Sequence, residues 1–213
     1  MKTDELIEML ATQDVSVNKT RIFVHVLLAI AFGFVGSFAL LLLVFDMNPD
    51  LGMLFKNMWF WVRFLFIVSV GVIAATILAR LGRPADASRV SLWLIVIPFA
   101  LLGLLAATML MMAPREERSD MLLGVSWDVC ARNISLLALP LFVSAIWIAK
   151  QFAPVRLRAT GAIAGLFAGA GAALVYSLHC PEIEPAFLVI WYSLGMLIPA
   201  VVGAVLARKL LKW

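Results

Sequence analysis

Polar residues along this chain are bunched, and the apolar residues between them come in long blocks. After a mixed opening stretch, apolar blocks cover residues 22–45, 58–79, 90–112, 160–178 and 186–207. A helix rises about 1.5 Å per residue, so about 20 apolar residues cross the roughly 30 Å of bilayer hydrocarbon. Each block therefore reads as a transmembrane helix. Arg63 interrupts the second near its outer end, where it is expected to snorkel or to pair with Asp46 or Asp50 in the preceding loop, and Pro98 lies in the third. A sixth block, 134–149, is shorter and holds Pro140. It completes a span if its helix begins before Asn133 and Lys150 snorkels to the headgroups. Without it the chain has five spans and its ends lie on opposite sides. The pattern predicts an all-α, polytopic membrane protein: a bundle of six transmembrane helices over 22–213 behind a short cytoplasmic helical segment, 1–21.

The charges support six spans. On that reading one side carries Lys2, Lys19, Arg21, Arg80, Arg83, Arg89, Lys150, Arg156, Arg158, Arg208, Lys209 and Lys212, twelve of the 17 basic residues. The other side carries Lys56, Arg115, Arg118 and Arg132. Basic residues mark the cytoplasmic face, so both termini are expected in the cytoplasm, in a bacterium at the inner membrane. Trp59, Trp61, Trp127 and Trp213 fall near span ends, as interface anchors do. Composition agrees: 64% of residues are hydrophobic and 14% charged, against about 25% charged in a soluble domain. The polar, acidic opening and the long first block do not suit a cleavable signal peptide.

Short loops leave little outside the membrane. The largest cytoplasmic piece is the opening stretch, where Leu6, Ile7, Met9 and Leu10 share one helical arc opposite Asp4, Glu5 and Glu8. An isolated helix of that size is marginal in water, so it needs a surface to fold against. That surface is a partner's groove or the protein's own membrane domain; an acidic face disfavours lipid headgroups. In the fifth block Gly161, Gly165 and Gly169 recur at four-residue spacing, a face that admits close helix approach within one bundle or in a homodimer.

Two cysteines carry the candidate chemistry. Cys130 is expected in the long outside loop before the fourth span, and Cys180 in the short loop between the fifth and sixth. Both fall on the oxidising side, where disulfides persist. His179 and Glu182 adjoin Cys180, and with the two thiols they make a candidate set for a soft divalent metal ion, although the spacing matches no zinc signature. Metal or redox sensing, a structural disulfide and no role all stay open. No constitutive cofactor is expected. Walker, nucleophile-elbow and HExxH patterns are absent, so no enzyme is expected. No span carries a buried Asp or Glu, which weakens a proton-coupled transporter. A small transporter or channel, with its weight on Arg63 or His25, is the alternative.

The opening Met1-Lys2-Thr3-Asp4-Glu5-Leu6-Ile7, the six short-looped spans and the two outside cysteines resemble the NrsF-type proteobacterial proteins. Cys180-Pro181-Glu182, Ile190-Trp191-Tyr192-Ser193-Leu194-Gly195 and the basic end at Arg208-Lys209 are similar too. The resemblance runs over essentially the whole chain. It implies a membrane-bound anti-sigma factor that holds an extracytoplasmic-function sigma factor at the inner membrane and releases it under stress, with Cys130 and Cys180 as the signal-responsive pair. The assignment of sigma contact to Leu6, Ile7, Met9 and Leu10 comes from the helical wheel, and that of His179 and Glu182 from proximity.

Overall fold

The computed structural model describes residues 19–82 and 92–212. The opening segment with Leu6, Ile7, Met9 and Leu10 lies outside the described residues, as do Arg83, Arg89 and Trp213. Among the described residues six helices are long and apolar enough to cross a membrane. We label them α1 (Lys19–Val44), α2 (Met58–Leu81), α3 (Val96–Met112), α4 (Trp127–Gln151), α5 (Leu157–Tyr176) and α6 (Ser193–Leu210). A 3-10 turn, Leu92–Ile95, leads into α3, and a short helix, Arg118–Leu123, lies in the loop before α4. Pro185–Phe187 and a π turn, Leu188–Tyr192, run straight into α6.

Local sequence explains several boundaries. Asn57 caps α2 by accepting a 2.9 Å bond from the Trp59 N–H. Asp128 in the first turn of α4 and Lys150 in its last complement the helix dipole. Pro185 opens its helix, where a missing N–H costs nothing. Because α4 begins at Trp127, the short apolar block becomes a 25-residue helix. Cys130, expected in a loop, therefore sits in the first turn of α4. Pro140 is accommodated inside it: the Ser37 hydroxyl of α1 donates to the Leu137 carbonyl in the preceding turn at 2.7 Å. A neighbouring hydroxyl serving backbone near a proline is how membrane helices tolerate one.

Helix α5 is the hub, packed against α6, α4 and α2. Its glycines are turned to α6. An added Cβ at Gly161 would lie 2.2 Å from the Gly203 carbonyl oxygen, at Gly165 2.1 Å from that of Pro199, and at Gly169 2.7 Å from that of Met196. The Gly161-Gly165-Gly169 face is thus consumed inside one chain, which leaves these three residues no surface for a homodimer contact. Helices α1 and α3 lie at the outside, with Phe23, Phe32, Leu43, Leu101 and Leu104 exposed. Such an apolar belt suits lipid rather than water. The end of the bundle where α4 stops and α5 starts gathers Arg156 and Arg158 beside Arg208 from the end of α6. Cys130 and Cys180 belong to the opposite ends of α4 and α5.

Candidate functional site

The site is built around the turn between α5 and the helix that opens at Pro185. A helix leaves its last carbonyls without intrahelical partners, so a turn here needs donors from elsewhere. They come from three separate segments. From the loop after α1, the Asn48 N–H donates to the Leu178 carbonyl at 3.1 Å, while in the opposite direction the His179 Nδ1 of the turn donates to the Asp46 carbonyl. From the loop before α4, the Val125 N–H donates to the Glu182 carboxylate at 2.7 Å. From α2, Arg63 donates to the carbonyls of Ser177 (2.9 Å), Cys180 (3.0 Å) and Glu182 (2.7 Å).

Arg63 is the residue that sequence reasoning placed wrongly. A snorkelling side chain, or one paired with Asp46 or Asp50, was the expectation. The structure buries it completely. The Ser177 carbonyl at the C-cap of α5, where the helix dipole favours a cation, and the Cys180 and Glu182 carbonyls of the turn after it take the place of a carboxylate. Its guanidinium also lies 5.1 Å from the Phe60 ring centre and 6.0 Å from that of Tyr192. The Nε of Arg63 has no hydrogen-bond partner among the described residues. The only signal in the sequence was an arginine inside an apolar block, which does not say which way it turns.

Cys130 and Cys180, fifty residues apart, come together here as free, fully buried thiols in one cluster. Cys130 and Cys180 pack in that cluster, and the Ser126 hydroxyl stands 3.7 Å from the Cys180 sulfur. The Tyr192 hydroxyl is fully buried and has no hydrogen-bond partner among the described residues. Tyr192 ends the π turn, and such turns recur at functional positions. The neighbouring Cys130 thiol, the Glu182 backbone and Ser126 stabilise the Cys180 thiolate more than burial disfavours it, which lowers its pKa to about 6. Alkylation of Cys180 by iodoacetamide in the parent protein, resolved from Cys130 by peptide mass spectrometry, should therefore rise between pH 5 and 7 as thiolate forms. A rise only above about pH 8, as for a free cysteine, would contradict this.

The other candidates are occupied. Glu182 holds the Gly124–Val125 backbone, where Gly124 adopts φ +56° and a Cβ would meet the carboxylate at 2.7 Å. His179 packs beside Phe45 and Tyr176, with ring centres 5.3 and 5.5 Å away. Among the described residues no group of three or more His, Cys, Asp and Glu is arranged to hold a metal ion. The structure thus pairs the two thiols and engages His179 and Glu182 with backbone groups. The loop before α4 closes over them: Trp191 donates to the Leu122 carbonyl at 2.9 Å and packs 5.5 Å from Trp127.

The sequence profile described as "Negative regulator of sigma F" matches residues 10–213. The chain is 37% identical to the probable anti-sigma-F factor NrsF of Azospira oryzae, with 100% of both chains covered. It is 33% identical to the anti-sigma-F factor NrsF of Caulobacter vibrioides, again over 100% of both. No solved structure matches. A six-helix apolar bundle with a buried thiol pair at one end, matched over its full length by these relatives, belongs to the NrsF family of negative regulators of sigma F.

Proposed function

We propose that this protein is an anti-sigma factor of the bacterial inner membrane. It sequesters an extracytoplasmic-function sigma factor on its cytoplasmic side and releases it when a periplasmic stress signal reaches Cys130 and Cys180. The observation that carries the reading is the pairing of these two thiols in a chain whose relatives are named anti-sigma factors. The basic cluster of Arg156, Arg158 and Arg208 lies at the end of the bundle away from the thiols. By the positive-inside rule that end and both termini are cytoplasmic, and the thiols are periplasmic. The signal is a soft metal ion or an oxidant. Two thiols with no third ligand gathered among the described residues suit a thiophilic ion rather than a hard one.

Sigma binding falls to the opening segment, with Leu6, Ile7, Met9 and Leu10 as the apolar face laid into the partner. Deleting residues 1–14 should abolish co-purification of the sigma factor with the detergent-solubilised protein and leave the membrane domain intact. A truncated protein that still carries stoichiometric sigma factor would move the contact to the loops or to residues 208–213. Transport has less support. The cleft between α1 and α4 is lined by Leu28, Ala29, Phe32, Pro140, Val143 and Trp147, with only His25 and Ser144 polar. Arg63 is committed to the backbone of the turn rather than to an open path.

A further inference from the structure

Arg63 is costly where it stands. A guanidinium with no exposed surface in an apolar bundle is tolerated only when its surroundings satisfy it. The packing need at this position could be met by leucine or methionine at no such cost. The charge is spent on one short stretch of backbone, Ser177 to Glu182, with Cys180 in its middle. Two terminal nitrogens reach three carbonyls in different directions, which a planar fork can do and a single ammonium cannot. The bonds to Asn48, Asp46 and Val125 approach the same turn from other sides, but none of them reaches a polar group of Cys180 itself.

We infer that Arg63 is a positioning residue of the thiol pair. By binding the carbonyls of Ser177, Cys180 and Glu182 it holds the turn in the conformation that seats the Cys180 sulfur against Cys130, and so governs how readily one incoming agent captures both sulfurs. This rests on the reading of Cys130 and Cys180 as the signal-capturing pair. Capture of two thiols by one agent is a proximity effect: once the first sulfur has reacted, the second step depends on where the turn holds its partner.

The test uses the purified full-length protein in mild detergent and dibromobimane as probe. Each cysteine thiolate displaces one bromide, so that two C–S bonds form, two C–Br bonds break and a bridged product results. One displacement alone gives a singly alkylated product, and mass spectrometry separates the two. Their ratio isolates orientation from access, because both products require the same opening of the pocket. For Arg63→Gln the bridged-to-single ratio should fall about tenfold or more. For Arg63→Lys, which keeps the charge but not the fork, it should fall several-fold. Gly165→Ala, which loosens the bundle elsewhere, should leave the ratio unchanged. If Arg63→Gln does not yield monodisperse protein, Arg63→Lys decides alone. A wild-type ratio in Arg63→Lys overturns the inference, as does an equal fall in Gly165→Ala. A ratio that falls as expected, while bridged wild-type protein keeps its sigma factor, would sink the signalling reading and leave the role of Arg63 standing.

Discussion

Gly165→Ala should be among the most damaging single-methyl additions in the bundle. The new Cβ would lie 2.1 Å from the Pro199 carbonyl oxygen, 2.6 Å from its carbon and 2.7 Å from the Ala200 Cα. All three are backbone atoms of α6, so no side chain can swing aside. The helices have to separate, and α5 is the helix on which α6, α4 and α2 all rest. Overpacking of this kind costs about 3 kcal/mol. Alanine regains about 1 kcal/mol of helix propensity over glycine. The clash wins, for a net loss of about 2 kcal/mol, which for a chain of this size lowers the melting temperature by roughly 4–8 °C. Loss of the monodisperse gel-filtration peak on heating in detergent measures it. Gly71→Ala is the control with the opposite sign. Its Cβ would meet only the Ala170 Cβ, at an ordinary 3.7 Å, so propensity should leave that variant as stable as the parent or slightly more. If Gly165→Ala melts with the parent, the backbone contact between α5 and α6 is looser than described.

Serine at both Cys130 and Cys180 should leave sigma binding intact and remove the response to stress. The thiols lie at the end of the bundle away from the basic cluster, so their loss removes no contact from the proposed sigma-binding side. Serine keeps the shape to within one atom but cannot form a disulfide or bind a soft ion as thiolate does. A signal shifts an equilibrium only through its differential affinity for the two states, and tenfold release needs about 1.4 kcal/mol of such coupling. Bridging the start of α4 to the turn after α5 is a local change that can bias the packing of α5 against its neighbours. The measurement is sigma factor retained on immobilised protein before and after exposure to cadmium or diamide. Parent protein should release at least about tenfold more than the double variant. Each single serine variant should behave like the double one if both sulfurs are captured together. A double variant that still releases sigma normally places the sensor elsewhere in the chain.

Much of the architecture was legible because it is local. A run of about 20 apolar residues reports its own ability to span, whatever surrounds it. The distribution of Lys and Arg between loops separated six spans from five, and the described residues form six such helices. The four-residue glycine spacing announced a close helix contact for the same reason, since spacing fixes which residues share a face. Its partner, α6, was not announced. Gly203, Pro199 and Met196 form no comparable stripe, and only the antiparallel arrangement of the two helices brings them opposite Gly161, Gly165 and Gly169.

The thiol site divides in the same way. That Cys130 and Cys180 share one side of the membrane followed from counting spans between them. That they share one pocket depends on how α4 and α5 pack and on a helix that begins at Trp127, before the apolar block that marked it. Arg63 shows the limit most clearly. Residues 177–182 lie more than a hundred positions further along the chain, and no local pattern ties an arginine to carbonyls at that separation. Hydropathy sees only a charge in a span. Tertiary structure decides whether that charge climbs to the headgroups or turns inward, and here it turns inward because the C-cap of α5 and the turn after it offer three carbonyls.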